Sequence, residues 1–360
     1  GTLISAIDNT LTPMGSRLLK QHLSKPLLSV TKINHRLKLV SEYLKNHIDD
    51  LEIIDELKSV SDIHRIISKI STNKSNPRDI INLSNSLLVV SNIKKYISKS
   101  KSILKLISQS KNIKKICSEI NKIIKDDPPA NLNKGGYIKS GISKELDEFR
   151  LISENANQWL LDYQKEQQES TGISSLKIGY NKVFGYYIDI TKVHINKVPD
   201  NYIRKQTLTN SERYFTTELK DYEHKILSSS EQINYIESEI YNKLIQFIIK
   251  DIASIQFNAD IIAKIDVIVS HAITANNNCY VKPKIHNKST FSLKGSRHPV
   301  VEKMLPINEK FITNDLKLNN QKQIAIITGP NMAGKSTFLR QIGLISILAQ
   351  IGSYVPADFA

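Results

Sequence analysis

The chain has 360 residues, 40% of them hydrophobic, and carries 50 Lys and Arg against 35 Asp and Glu, a formal charge of +15. That content is enough for real cores and excludes collagen-like or disordered composition, while the basic surplus points to a polyanionic partner, nucleic acid or an anionic membrane, with a solvated basic surface as the plain alternative. Cys117 and Cys279 form no CxxC pair, the nine histidines form no HExxH, no apolar run nears the roughly 18 residues of a spanning helix, and no signal peptide opens the chain, so a cytoplasmic protein with free, buried thiols and no side-chain metal site is expected.

Residues 1 to about 125 read as helical. Leu18, Leu19 and Leu23 recur at helical spacing, as do Ile33, Leu37 and Val40, and further on Ile93, Tyr96, Ile97, Leu104 and Ile107. Lys94, Lys95, Lys101 and Lys105 fall mostly off that stripe, which predicts a solvated face before a DNA-facing one. Asp126–Pro129 and Asn133–Gly136 break the pattern, because Pro and Gly do not continue a helix. Helix resumes near Lys144 with Leu146, Phe149, Leu151 and Ile152 as its apolar face.

The period then changes. Ile173 to Tyr180 and Val183 to Thr191 are β-branched and aromatic, separated by Asn181-Lys182, and read as a β-hairpin. A helical stretch follows from about Glu212 to His271, its apolar positions including Ile226, Ile233, Ile240, Leu244 and Ile252. A small β-containing piece is thus inserted between long helices. Toward the end, Phe291 to Leu293 and Ile324 to Thr328 read as strands and 336 to 351 as a helix, an α/β unit.

Gly329-Pro330-Asn331-Met332-Ala333-Gly334-Lys335-Ser336-Thr337 joins the last strand to the last helix and fits G-x-x-x-x-G-K-[ST]. The glycines permit backbone angles that turn successive N–H groups onto phosphate oxygens, and the helix adds its positive end. Lys335 would reach the β and γ phosphates and Ser336 would ligate Mg²⁺. The loop predicts ATP or GTP binding without choosing between them.

The residues around the loop are more specific. The stretch ITGPNMAGKSTFLRQIGLISILAQIGSYVPA (327 to 357) resembles the start of the ATPase domain of MutS-type DNA mismatch repair ATPases. The resemblance covers nearly the whole chain: TPMGSRLLKQHLSKPL (12 to 27), NPRDI (76 to 80), GGYIKSGISKELDEFR (135 to 150), TGISSLKIGYNKVFGYYIDIT (171 to 191), DNYIRKQTLTNSERYFTTELK (200 to 220) and SRHPVVE (296 to 302) follow in the family's order. His22 stands where the family usually has Trp, Ile142-Ser143 where it has Tyr-Asp, Ser170 where it has Arg, and Thr217 where it has Pro.

The resemblance implies a mainly α fold: a long-helix lever or core (1–156 and 217–282), an inserted small β-containing DNA clamp (157–216), and the start of an α/β P-loop ATPase domain (283–360). It implies ATP and Mg²⁺ as cofactors, with Phe311 stacking on adenine, Asn331 and Met332 near the phosphates, and His298 in a structural role. It implies that the clamp grips the backbone of double-stranded DNA through Lys177, Lys182, Arg204, Lys205, Asn210 and Arg213, beside Tyr180, Phe184 and Tyr202. Phe184, Tyr186 and Tyr187 are weighed as packing residues of the small sheet. The implied whole is a homodimer that senses mispairs, works with a MutL-type protein and has no membrane contact. The mismatch-reading Phe-x-Glu element is expected ahead of Gly1. The acidic residue that holds Mg²⁺ and activates water is expected beyond Ala360, so no catalytic residue is assigned and this chain alone is expected not to turn ATP over. The alternatives are a non-catalytic DNA-clamping scaffold and the recombination-suppressing MutS paralogue, which the hairpin at 171–220 disfavours. A transport ATPase leaves the clamp motif unexplained.

Overall fold

A computed structural model describes the chain except for Lys182, Phe184, Ile307 and Asn331–Ala333, and except for the side chains of Ala156 and Asn157. The chain divides into two compact units, the first made of residues 1–75, 79–118 and 248–360, the second of 76–78 and 119–247.

In the first unit the chain folds as helices α1 (Leu3–Ile7), α2 (Pro13–Ser24), α3 (Val30–Asn46), α4 (Leu51–Lys58) and α5 (Ile63–Ser71). Several of these starts have a side-chain cap. Thr12 accepts from Gly15 N with Pro13 opening α2, Ser29 accepts from Lys32 N, and Asp62 accepts from Arg65 N. Ile63, Ile66, Ile67 and Ile70 put one buried stripe on α5. Helices α6 (Pro77–Tyr96), α7 (Lys101–Ile107) and α8 (Lys114–Ile123) complete the helical opening that the periodicity predicts.

The second unit is built on α9 (Lys144–Thr171), strands β1 (Lys177–Asn181), β2 (Gly185–Thr191), β3 (Ile203–Thr207) and β4 (Ser211–Phe215), and α10 (Thr217–Ile249). The strands form one antiparallel sheet in the order β1-β2-β4-β3. Its inner face closes a core of Tyr163, Ile173, Leu176, Ile188, Ile190, Tyr202, Tyr214 and Leu219. Trp159 stacks on Tyr163 and Tyr222 with centroids 4.7 and 3.6 Å apart. Beyond the sheet, Glu237 is fully buried on α10; it accepts from Gly136 N at 2.7 Å and from Arg150 Nη2 at 2.6 Å. The glycine pair that breaks the sequence pattern is thereby pinned between α9 and α10.

The chain returns to the first unit through α11 (Ile252–Asn277), β5 (Phe291–Ser296), α12 (Pro299–Met304), β6 (Asn314–Leu318) and α13 (Lys335–Ile351). Helix α11 is the axis of this unit and packs on α2, α3 and α5. It is buried along most of its length, and several of its buried polar groups are spoken for, His271 excepted. Asp266 accepts from Leu11 N, Thr12 N and Thr12 Oγ1 at 2.8, 2.8 and 2.7 Å. A Cβ on Gly15 would stand 2.0 Å from that carboxylate, so the site requires the glycine of TPMG. Asn258 brackets Lys111 by accepting from its N–H and donating to its carbonyl.

Four expectations are corrected. The hairpin is half of a four-stranded sheet, because 211–215 is strand rather than the start of a helix; Glu212 and Tyr214 point inward and Tyr214 Oη donates to Glu212 at 2.5 Å. The long stretch to His271 is two helices parted at Lys250-Asp251. On α9 only Leu146 of the expected apolar face is fully buried, while Leu151 and Ile152 are exposed. Cys117 is buried as expected, but Cys279 is exposed just past α11.

Candidate functional site

The loop before α13 has the backbone its sequence demands. Gly329 and Gly334 have φ of 154° and 82°, and Gly334 in the left-handed region is the N-cap of α13. Lys335 Nζ folds over the loop and donates to the carbonyls of Gly329 and of Pro330, the latter at 2.6 Å. Ser336 is exposed on the first turn, with Thr337 half-buried beside it. The first-turn N–H groups of α13 and the ammonium thus share one end of the helix, an arrangement that suits a phosphate. Asn331, Met332 and Ala333 lie outside the described residues.

The segment 324–328 does not pair as a strand among the described residues, contrary to expectation; Ile324 and Ile326 are 85% and 87% exposed. A parallel strand ahead of a phosphate loop is held by neighbours on its edges, whereas β5 pairs with β6 instead. Phe311 is half-buried in the irregular segment leading into β6.

What anchors the loop is α13. Its buried Gln341 donates to Ser296 Oγ at 2.6 Å, and Ser296 Oγ donates to Asn314 O at 2.5 Å, tying the helix to β5 and β6. This gives Gln341 of the Arg-Gln motif a role that sequence left unassigned; a polar residue on an apolar helix face was the available signal. Ile345, Leu348 and Ile351 enter one core with Ala6, Ile7, Leu19 and Val267. At its far end Gly352, φ 84°, lets the stem of Arg36 lie against the backbone, and Arg36 Nη1 donates to Ile351 O at 3.0 Å.

Ala360 has a packing role. Its methyl lies against the core of Ile345 and Val355, and its carbonyl accepts from Lys284 N at 3.0 Å. His298 caps α12, its Nδ1 accepting from Val300 N and Val301 N at 3.2 Å each, which is the expected structural role. Burial lowers its pKa.

In the sheet, cross-strand register sorts the basic candidates. Lys177, Asp189, Arg213 and Gln206 form one row across β1, β2, β4 and β3. The neighbouring row contains Ile188 and Tyr214, which belong to the inner core, so the Lys177 row faces outward. The Arg213 guanidinium lies 4.1 Å from the Tyr187 centroid and Nη1 donates to Gln206 at 2.9 Å. Lys205 and Lys220 both stand over the Phe215 ring. Arg204 instead pairs with Tyr214 in register, beside the bulge of the edge strand β3, with an exposed side chain that reaches Glu212 at 3.7 Å. Asn210 is exposed in the β3–β4 turn, its carbonyl accepting from Lys192 N. Lys182 and Phe184 lie outside the described residues. Of the aromatics, Tyr202 is buried, with its hydroxyl donating to Gln167 at 2.6 Å and burial raising its pKa. Tyr180 is exposed against Tyr186.

Among the described residues there is no cluster of three His, Cys, Asp or Glu suited to a metal, and no helix long and apolar enough to cross a membrane.

Comparison with known proteins closes the case for ancestry. The family model described as MutS domain III matches residues 1–272, and that described as MutS domain V matches residues 325–360. A DNA mismatch repair protein MutS of Bacteroides fragilis is 46% identical over 363 residues, covering 100% of this chain and 42% of the relative. Proteins of the same name from Flavobacterium johnsoniae and Caldanaerobacter subterraneus subsp. tengcongensis are 45% and 43% identical, covering 99% and 100% of this chain and 42% and 41% of the relative. The chain therefore spans about two-fifths of the length of these relatives. With a mainly α core, an inserted four-stranded sheet and a glycine loop on α13, and with these matches along its length, the chain belongs to the MutS family.

Proposed function

We propose that this chain supplies the lever (1–156 and 217–282), the DNA clamp (157–216) and the opening of the ATPase domain (283–360) of a mismatch repair ATPase. The clamp grips duplex DNA through its phosphates. The outward row of Lys177 and Arg213, with Lys205 beside it on an aromatic plate, carries this reading. Rings held against cations fix long side chains at low entropic cost and leave charge directed outward. Helices α9 and α10, 28 and 33 residues long, reach roughly 40 and 50 Å at 1.5 Å per residue, which suits a lever. The loop at 329–337 cradles ATP, with Lys335 on the phosphates, Ser336 on Mg²⁺ and Phe311 against adenine. Hydrolysis, homodimer formation and a MutL-type partner are proposed for the whole protein.

The test is binding of the chain to a duplex with one G·T mispair and to its matched twin across a salt series. Equal, salt-sensitive affinity is expected. Lys177→Glu should lower the slope of log K against log salt by about 0.9 if it removes one phosphate contact. An unchanged slope removes Lys177 from the interface, and a preference for the mispair overturns this division of the chain.

A further inference from the structure

A recess of about 310 Å³ lies in the first unit where α2, α3, α11 and the end of α13 meet. Its wall is apolar at Leu39, Val40, Val267, Ile268 and Ile351. Its polar lining includes Arg36, Lys264, His22 and His271, and among the described lining residues there is no carboxylate.

The hydrogen bonds fix the proton positions. Arg36 Nη2 lies 2.8 Å from His22 Nε2. A guanidinium only donates, so Nε2 accepts, and the proton of neutral His22 sits on Nδ1. That Nδ1 is buried and has no partner among the described residues, and neither has either ring nitrogen of His271, which is 2% exposed. Burial first, then Arg36 and Lys264, push His22 down to about 4; burial first, then His22 and Arg36, push His271 down to about 3. Both rings are therefore neutral near pH 7, each with one buried N–H. Two unpaired donors and two cations surround a space whose lining brings no anion. Buried donors left unpaired are costly, and water would satisfy them without compensating the charge or covering the apolar wall.

We propose that this recess binds a small amphipathic anion, a monocarboxylate with a short apolar tail. The carboxylate is held by Arg36, Lys264 and the two imidazole N–H groups, and the tail lies along Val40, Val267 and Ile268. The volume suits a ligand of that size.

The experiment titrates the 360-residue chain with hexanoate, with hexanol, hexylamine and hexyl phosphate as controls, by calorimetry and by NMR of the histidine Cε1–H groups. Saturable binding of hexanoate is expected, with weaker binding of the other three. It should raise the pKa of His22, because a nearby anion favours the imidazolium. His22→Trp, which fills the recess, and Arg36→Met should each weaken hexanoate by about tenfold or more. Hexanol matching hexanoate, hexyl phosphate exceeding it, an absence of saturable binding, or affinity unchanged in both variants overturns the proposal. Where Arg36→Met fails to fold, His22→Trp and the histidine titration of the unaltered chain decide it.

Discussion

Asp266 concentrates several conflicting demands in one carboxylate. Burial raises its pKa to about 6, against the pull of three hydrogen bonds from Leu11 and Thr12. A carboxyl whose folded pKa lies above its unfolded value binds its proton more tightly when folded. Its contribution to stability is therefore fully present below the unfolded pKa, near 4, and is lost as pH rises through about 6. A shift of this size is worth roughly 3 kcal/mol. Asp266→Asn should remove this dependence: between pH 7 and pH 4 the thermal midpoint of the variant should gain less, or lose more, than that of the unaltered chain. Parallel profiles for the two proteins would show that the hydrogen bonds outweigh burial. Little of this was readable from sequence, where Asp266 is one charge in an apolar helix; its partners stand more than 250 positions away. Lys335 and the two loop glycines were readable, because their spacing alone encodes the turn.

Elements were legible in proportion to how regular their burial is. The helices up to Ile123 and the start of α9 follow from apolar spacing. Strand β4 was missed because its inward positions are Glu212 and Tyr214, and a buried glutamate reads as a solvent-facing residue until its tyrosine partner is seen. The break between α10 and α11 was missed because Lys250-Asp251 is no stronger a signal than any exposed pair. At the junction of α9 and α10, the pair Arg150–Glu237 is nearly dry, with side-chain exposures of 15% and 0%. Glu237→Ala would strand the guanidinium and free Gly136 N. A loss of about 3–5 kcal/mol is expected from urea unfolding followed by the Trp159 signal. A loss below about 1 kcal/mol would mean that the pair is replaceable by water.

On the scale of the whole molecule, the resemblance along the chain gave the family, and the family matches bear it out. Sequence did not reveal how the phosphate-loop helix is built in. Residues near the N-terminus, Ala6, Ile7 and Leu19, share its core, and Arg36 reaches its last carbonyl. Such contacts join segments more than 300 residues apart, beyond the reach of any local pattern. They also mean that α13 shares one core with the N-terminal helices and with α11.

The segment ahead of the loop has a consequence for handling the protein. Residues 324–328 carry bare isoleucines and a backbone without ladder partners among the described residues. Such an edge is a template for a second copy of itself. Concentrated solutions of this chain should therefore scatter light increasingly with time, by strand addition rather than by unfolding, and Ile326→Lys should slow that growth severalfold while leaving the thermal midpoint within about 0.5 kcal/mol equivalent. Growth that proceeds equally fast in the variant would place the sticky surface elsewhere. The stretch ahead of the glycine loop would then be one colloidal weakness of the chain.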